Sequence, residues 1–278
     1  MAAIYPASIS QSTIPNDRNA ESLAPAAEPV QAPLESSVLL SVIIPAYNES
    51  LLLPSTLSAL RKAAANLEIG SSRVELIVVD DGSTDETPNL ALRLADKVIN
   101  GERKGIGHAR NVGAQDANGS VFVFVDADTI VEPKVLTEIY NSWTSGIRAG
   151  AVAPIYDSTH WCIKALFRLW RWYAARKGMT QGVCQFFDRR LFEELGGYRT
   201  NLFMAEDTDL YERACVRLRS QRQESRLRVI DDVKVYPSMR RYEQWTPWRI
   251  LFWTNPWTTK VLRHSRHFWR HWYDDPPR

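Results

Sequence analysis

The stretch VFVFVDADT, residues 121–129, indicates the fold most directly, because a run of apolar β-formers ends in two acidic residues. Five consecutive apolar residues of this kind are typical of a strand that is buried on both faces of a sheet. Two earlier runs have the same form, LLSVIIP at 39–45 and VELIVV at 74–79, and polar and acidic residues follow each of them. We therefore predict three buried strands whose C-terminal ends carry acidic side chains.

Helical patterns separate these strands. Leucines at positions 53, 57, 60 and 67 give residues 50–67 one apolar face, and residues 106–118 have a helical pattern that Gly119 ends. Strands that alternate with helices of this length predict an α/β fold with a Rossmann-like, mostly parallel central sheet flanked by helices. The remaining predicted elements are a helix at 85–95, a short strand at 97–100, strands at 150–155 and 182–188, a short helix before Gly196-Gly197, a helix from 206 to about 218 and a strand at 226–236.

Composition limits the class of protein. Hydrophobic residues make up 45% of the 278 positions and charged residues 24%, which is typical of a soluble globular protein. The formal net charge of +2 is too small to favour nucleic-acid binding. Three widely spaced cysteines and the lack of a secretion signal or long apolar run favour reduced thiols and a location in the cytoplasm or at the cytoplasmic face of the membrane.

The pair Asp126 and Asp128 suggests a metal site. Ligands of open α/β sheets bind beyond the carboxyl ends of the strands, and these two carboxylates lie at such an end. Mg²⁺ or Mn²⁺ takes few carboxylates and completes its shell with water and phosphate oxygens. Solvated aspartates at a strand end are the alternative explanation. The nearby acidic pair Asp80-Asp81, which follows another strand, favours the metal.

Four motifs together resemble the family 2 glycosyltransferases, which have a GT-A fold. They are PAYNE (45–49), VVDDGSTDET (78–87), GIGHARNVGA (105–114) and FVDADT (124–129), in the family's order and spacing. The resemblance implies a hexosyltransferase-like enzyme that uses a UDP- or GDP-sugar together with Mg²⁺ or Mn²⁺. It also implies a nucleotide-binding half at 38–130 and an acceptor-binding half at 131–240.

The same resemblance implies a role for several donor-side residues. Pro45, Tyr47 and Glu49 would line the base and ribose pocket, and Asp81 would accept a hydrogen bond from the base. Asp128 would be the direct metal ligand, and three further residues would contact the nucleotide: Lys104, Arg110 and Asp126, of which Asp126 would also reach the metal.

On the acceptor side, LFMAEDTDLYERA (202–214) resembles the family's ED motif. By that match Asp207 is the predicted general base of an inverting transfer, and Glu206 is the second choice. Gln185 is a weaker candidate for acceptor contact. Arg240 and Arg241 would face the leaving diphosphate. Tyr236-Pro237 stands where many relatives have a histidine, so the resemblance leaves the third metal ligand open.

Two other functions are compatible with the architecture. One is a catalytically silent protein that only binds a nucleotide-sugar, and the acid at Asp207 argues against it. The other is a nucleotidyltransferase, which would need a basic Gly-rich loop where PAYNE stands.

Both ends of the chain differ from the rest in composition. Residues 1–37 are predicted to be a disordered tail, and 241–278 form a Trp-rich, basic extension. That extension and the stretch ALFRLWRWYAARK (165–177) combine Trp with Arg and Lys. Packing, contact with a membrane surface and stacking on a sugar are three interpretations of this pattern. The acceptor is accordingly predicted to be a glycan or a lipid-linked molecule.

Overall fold

The apolar runs of the sequence form the centre of one eight-stranded sheet with the order β3-β2-β1-β4-β7-β6-β8-β5. The computed structural model describes residues 38–158, 163–165, 167–169, 182–253, 258, 261–265 and 267–269. The predicted disordered tail at 1–37 lies outside these residues. The strands are β1 (Leu40–Ala46), β2 (Val74–Asp80), β3 (Lys97–Asn100), β4 (Val121–Val125), β5 (Thr129–Val131), β6 (Ala149–Pro154), β7 (Cys184–Asp188) and β8 (Leu227–Pro237).

Helices cover both faces of this sheet. In the described part of the chain they are α1 (Leu53–Ala65), α2 (Thr87–Leu94), α3 (Ile106–Gln115), α4 (Val135–Thr144), α5 (Arg189–Glu194), α6 (Glu206–Ser220), α7 (Arg240–Glu243) and α8 (Pro247–Trp253). Side chains of β1 alternate between two cores, as the two-residue period of a strand requires. Leu40, Val42 and Ile44 join the core that contains α1 and α4, whereas Ile43 joins the core that contains α3 and α6.

The predicted α/β architecture with a mostly parallel centre is confirmed. Strands β3, β2, β1 and β4 are parallel to one another. Strand β7 is antiparallel to both β4 and β6, β8 is parallel to β6, and β5 is antiparallel to β8. The antiparallel strand β7 therefore joins the predicted nucleotide-binding half to the acceptor-binding half within one sheet.

Four of the described elements, β5, α4, α7 and α8, were not predicted. Strand β5 has only three residues and directly follows the acidic pair, so it is too short to give a pattern. Helix α4 does have a helical apolar face, since Val135, Leu136, Ile139 and Trp143 are buried. In the residues the structure describes, no helix has the length and apolarity to cross a bilayer. Cys184 and Cys215 are free, and Cys162 lies outside the described residues.

Candidate active site

The C-terminal ends of β1, β2 and β4 open into one cleft of about 220 Å³. Residues from both halves of the sheet line it. They are Pro45, Ala46, Tyr47, Glu49, Asp81, Arg103, Ile106, Ala109, Asp126, Ala127, Asp128, Tyr156, Val183, Pro237, Ser238, Arg240 and Tyr242. The acidic residues that follow the three central strands are thus brought together around one space, in line with the rule for ligands of open α/β sheets.

At one end of the cleft, an arginine lies over a tyrosine ring. The Arg103 guanidinium carbon is 3.1 Å from the centroid of the Tyr47 ring, which is a close cation–π contact. Asp81 is buried beside them, and its two carboxylate oxygens accept hydrogen bonds from the backbone N–H groups of Lys104 and Gly105, at 3.1 and 3.0 Å. This end of the cleft therefore combines an aromatic face, a cation and a carboxylate.

Lys104, the cation that the sequence suggested, points elsewhere. Its ammonium pairs with Glu102, and its side chain is 54% exposed. Arg103 takes the position at the cleft because it adopts a left-handed backbone conformation, with φ of 58°. The sequence did not indicate Arg103, because the local backbone turn decides which of the neighbouring cations Arg103 and Lys104 faces the cleft.

The acidic pair after β4 is held by the backbone on both sides. The Asp126 N–H donates to the Val183 carbonyl at 3.2 Å, and the Ser238 N–H donates to the Asp128 carbonyl at 3.1 Å. The Thr56 hydroxyl, on α1, donates to the Ala127 carbonyl between them at 2.9 Å. These bonds fix the turn and leave the Asp128 carboxylate 26% exposed at the cleft.

Arg110 lies beneath the cleft and joins its two sides. The side chain is 2% exposed, and its two terminal nitrogens donate to Asp126 at 2.7 Å and to Glu206 at 2.9 Å. Burial raises the pKa of Asp126 to about 6; the Arg110 charge opposes this shift and the nearby Asp128 adds to it. Burial and the neighbouring Asp207 likewise raise the pKa of Glu206 to about 7, against the effect of Arg110.

This position differs from the one implied for Arg110 by the sequence. The guanidinium has its hydrogen bonds with protein carboxylates and not with the open cleft. It is a buried link between the acidic pair after β4 and the first turn of α6.

Asp207 lies in the first turn of α6 and is fixed by the segment that leads into β7. The Gly182 N–H donates to the Asp207 carboxylate at 2.5 Å. Gln185 is fully buried, and its side-chain nitrogen is 3.4 Å from the Asp207 backbone oxygen, so it supports the helix start and is not exposed to an acceptor. Val183, next to Gly182, lines the cleft. Asp207 is therefore one residue removed from the cleft wall.

The basic loop after β8 closes the cleft on its other side. The Arg240 guanidinium pairs with Glu49 and lies 3.8 Å from the Asp128 carboxylate. The Arg241 side chain lies outside the described residues. Tyr236 donates its hydroxyl to Glu132 at 2.9 Å and is not among the cleft residues, so it supplies no metal ligand.

The cleft suits a divalent cation held by few protein groups. The negative charge of Asp128 contributes to the raised pKa of Asp126, and a cation between the two carboxylates would relieve that repulsion. Across the described ranges, no group of three His, Cys, Asp or Glu side chains converges as a metal site. The donor set therefore fits Mg²⁺ or Mn²⁺ that completes its shell with phosphate and water oxygens.

Comparison with known proteins identifies the family of this chain. The profile of "Glycosyl transferase family 2" matches residues 41–196. YdaM of Bacillus subtilis, named a probable glycosyltransferase, is 29% identical over 195 residues, which cover 61% of this chain and 45% of that protein. The chain thus spans less than half the length of this curated relative.

Two solved structures share the fold. A mannosyltransferase from Pyrobaculum calidifontis, in complex with GDP-Man and Mn²⁺, has a TM-score of 0.60 and 21% identity, covering 86% of this chain and 65% of its own. Staphylococcus aureus TarS 1–349, in complex with UDP-GlcNAc, has a TM-score of 0.55 and 19% identity, covering 72% of this chain and 58% of its own.

Proposed function

The chain belongs to glycosyltransferase family 2, and from this premise we propose that it transfers a sugar from a nucleotide-diphosphate donor to an acceptor hydroxyl or lipid phosphate, with inversion. The observation that carries the proposal is the network through Arg110. It joins Asp126, at the cleft where a diphosphate and metal would bind, to Glu206, which is next to the candidate base Asp207. A site that only bound nucleotide would not require the ion pair between Arg110 and Glu206.

The donor base would lie between the aromatic face of Tyr47 and the Asp81 carboxylate. Arg103, more than Lys104, is the cation that would contact the nucleoside, because its guanidinium already lies at the cleft. Pro45 and Glu49 complete this wall. Carboxylate and guanidinium together can pair with the donor and acceptor edges of either uracil or guanine. The two structural relatives hold a UDP-sugar and a GDP-sugar, which keeps both donors in the proposal.

Asp128, with a contribution from Asp126, would hold Mg²⁺ or Mn²⁺ against the diphosphate. The metal would supply positive charge that stabilises the departing nucleoside diphosphate. Arg240 would add a second positive charge at the same place once it exchanges its pairing with Glu49 for the phosphates. Arg241 remains a candidate for the same role from its position in the sequence.

Asp207 would act as the base. The acceptor O–H loses its proton to the Asp207 carboxylate while the acceptor oxygen bonds to the anomeric carbon. The bond between that carbon and the phosphate oxygen breaks on the opposite face, and the electron pair leaves with the diphosphate. A single displacement of this kind inverts the anomeric centre. Glu206 is the weaker candidate, because it is bonded to the buried Arg110.

Donor and acceptor binding are assigned to successive parts of the chain. We assign donor binding to residues 38–130 and acceptor binding to 131–240, with 241–278 as a Trp-rich, basic extension. Gln185, predicted to contact the acceptor, is buried and would instead act indirectly, by supporting the start of α6. A cytoplasmic site of action agrees with a nucleotide-sugar donor and with free thiols at Cys184 and Cys215.

A comparison of donor binding with donor turnover tests this proposal. The purified protein is screened by thermal shift with UDP- and GDP-sugars and Mn²⁺, since ligand that binds only the native state raises the melting temperature. Release of nucleoside diphosphate is then measured for the wild type and for Asp207→Asn. We expect unchanged donor binding and turnover lowered by at least about 100-fold, in the range of a lost general base.

The two alternatives make opposite predictions. A catalytically silent binding protein would show the thermal shift without turnover in the wild type. Equal turnover by the wild type and Asp207→Asn would remove Asp207 as the base. Full activity of Asp128→Ala, or of the wild type in excess chelator, would remove the metal from the mechanism.

A further inference from the structure

Two segments of the sequence carry a large excess of positive charge. Residues 160–180 and 240–278, which we call the basic aromatic segments, contain 13 of the 34 Lys and Arg residues but 3 of the 32 Asp and Glu residues. Their formal charge is therefore +10, whereas the rest of the chain carries −8. They also contain nine of the ten tryptophans. The overall charge of +2 conceals this separation.

The described parts of the two segments pack together although about 60 residues separate them in the chain. Ile163 and Phe167 from the first form a small core with Ile250 from the second and with Met239 just before it. The Phe167 ring is 5.0 Å from the Tyr242 ring. The described parts of the two segments therefore form one unit with its own apolar core.

Three large apolar side chains in the described parts of the two segments are more than half exposed. Leu169 is 60% exposed and Trp248 80% exposed, and Val261 is 56% exposed. Arg168 and Arg249 are exposed beside the first two in the sequence. Exposed Trp and Leu among arginines are typical of a surface that inserts into the headgroup region of a bilayer, where cations meet phosphates and apolar groups leave water.

We propose that the described residues of the basic aromatic segments form a surface that docks this protein on an anionic phospholipid bilayer. The charge of +10 complements a negative lipid surface, and the exposed apolar residues supply the part that salt does not screen. A nucleic-acid partner would also complement the positive charge, but it would not explain why the aliphatic side chains of Leu169 and Val261 are exposed. The proposal does not depend on the transferase activity, because the exposed residues Leu169, Trp248 and Val261 do not line the cleft.

The small core beneath this surface contacts residues that line the cleft. Tyr156 and Tyr242 line the cleft, and Tyr156 stacks on Phe167 at 4.2 Å between ring centroids. The small core of the basic aromatic segments is thus in direct contact with the cleft wall. If the transfer is as proposed, docking would bring the cleft close to the headgroup region and would favour a lipid-linked acceptor.

Vesicle co-sedimentation of the full chain tests the surface. Vesicles of phosphatidylcholine with 30% phosphatidylglycerol are compared with vesicles of phosphatidylcholine alone, at low and high salt, without donor or metal. We expect binding to the anionic vesicles only, and weakening with salt. Arg168→Gln with Arg249→Gln should weaken it by about 25-fold, since each cation near such a surface contributes about fivefold. Trp248→Ala with Leu169→Ala should weaken it by about tenfold or more.

Matched variants elsewhere on the molecule serve as controls. Arg93→Gln with Arg190→Gln removes the same charge from exposed positions outside the surface. Leu92→Ala with Val216→Ala removes exposed apolar side chains of similar accessibility, 69% and 67%. These variants should bind vesicles like the wild type, as should Asp207→Asn, which separates docking from catalysis.

Several outcomes would overturn the proposal. They are no binding to either vesicle, equal binding to both kinds, or equal loss in the control variants. A dimer in solution that dissociates in Trp248→Ala with Leu169→Ala would assign the surface to a second copy of the chain. Intact vesicle binding with no transfer activity would refute the proposed function and leave the docking surface standing.

Discussion

Substitution of Gly182 by alanine is the sharpest test of how the base is positioned. Gly182 donates its N–H to the Asp207 carboxylate and precedes a residue of the cleft wall. A Cβ added to Gly182 would lie 2.4 Å from the Asp207 Cβ and 2.5 Å from its nearer carboxylate oxygen. A change of rotamer cannot relieve the first contact, because the Asp207 Cβ is fixed to the backbone of α6.

The size of the required movement follows from these distances. An ordinary contact for a Cβ begins at about 3.4 Å, so either the segment before β7 or the start of α6 must move by about 1 Å. A misplacement of 1 Å at a reacting group can lower the rate by about 100-fold. We therefore expect Gly182→Ala to reduce kcat by about two orders of magnitude. Donor affinity should change little, because Asp81 and Asp128 are on other strand ends.

Steady-state kinetics of sugar transfer or donor hydrolysis, with the melting temperature measured in parallel, give the required readouts. Gly107→Ala is the matched control, since its added Cβ would be 3.5 Å from the Glu206 side chain, an ordinary contact in the same region. It should keep kcat within about threefold, because no shift of the backbone is needed. Wild-type kcat in Gly182→Ala would refute the positioning of Asp207. A fall in donor affinity as large as the fall in kcat would indicate a general disruption of the fold.

Three further predictions concern the charged network. Arg110→Met should lower the free energy of unfolding at pH 7 by about 3–5 kcal/mol, because Glu206 would stay buried without its partner; a change below about 1 kcal/mol in urea unfolding would contradict this. In the wild type the raised pKa of Glu206 means that its favourable contribution to stability is fully present below about pH 4.5 and is lost as pH rises through about 7. Glu206→Gln should flatten that part of the stability profile, and an unchanged profile would show that another group titrates. Arg103→Ala should weaken nucleotide binding about threefold by calorimetry, consistent with an exposed cation–π contact. Lys104→Ala should leave the nucleotide affinity unchanged. A larger loss of affinity in Lys104→Ala than in Arg103→Ala would instead identify Lys104 as the nucleotide ligand.

The sequence was sufficient to predict the central strands. Residues 39–45, 74–79 and 121–125 are apolar on both faces, and a strand between two helical layers requires this pattern. It could not predict β5, which consists of three residues that pair with β8 more than 100 positions away. Nor could it predict that β7 runs antiparallel to β4, because strand direction depends on how the chain returns across the sheet.

The candidate site was predictable where it depends on strand ends and not where it depends on side-chain direction. Glu49, Asp81 and Asp128 follow strands directly, so the topology alone brings them to one edge. Arg110 is one turn inside α3, and only packing decides whether its long side chain reaches the cleft or the buried carboxylates. Gly182 carried no signal in the sequence, because its role is to leave space and to donate a backbone hydrogen bond.

The two halves to which we assign donor and acceptor binding are not separate structural units. Strand β4 belongs to the first half, yet residues 121–125 pair with 184–188 of the second half along the whole strand. The Phe124 ring, on β4, is 5.0 Å from the Tyr198 ring. Separation of the halves would expose that aromatic cluster and leave the buried Arg110 without Glu206. Because one buried guanidinium compensates carboxylates from both halves, a change of charge at Asp126 must also change the electrostatic environment of Glu206, and the donor and acceptor sides are coupled through it.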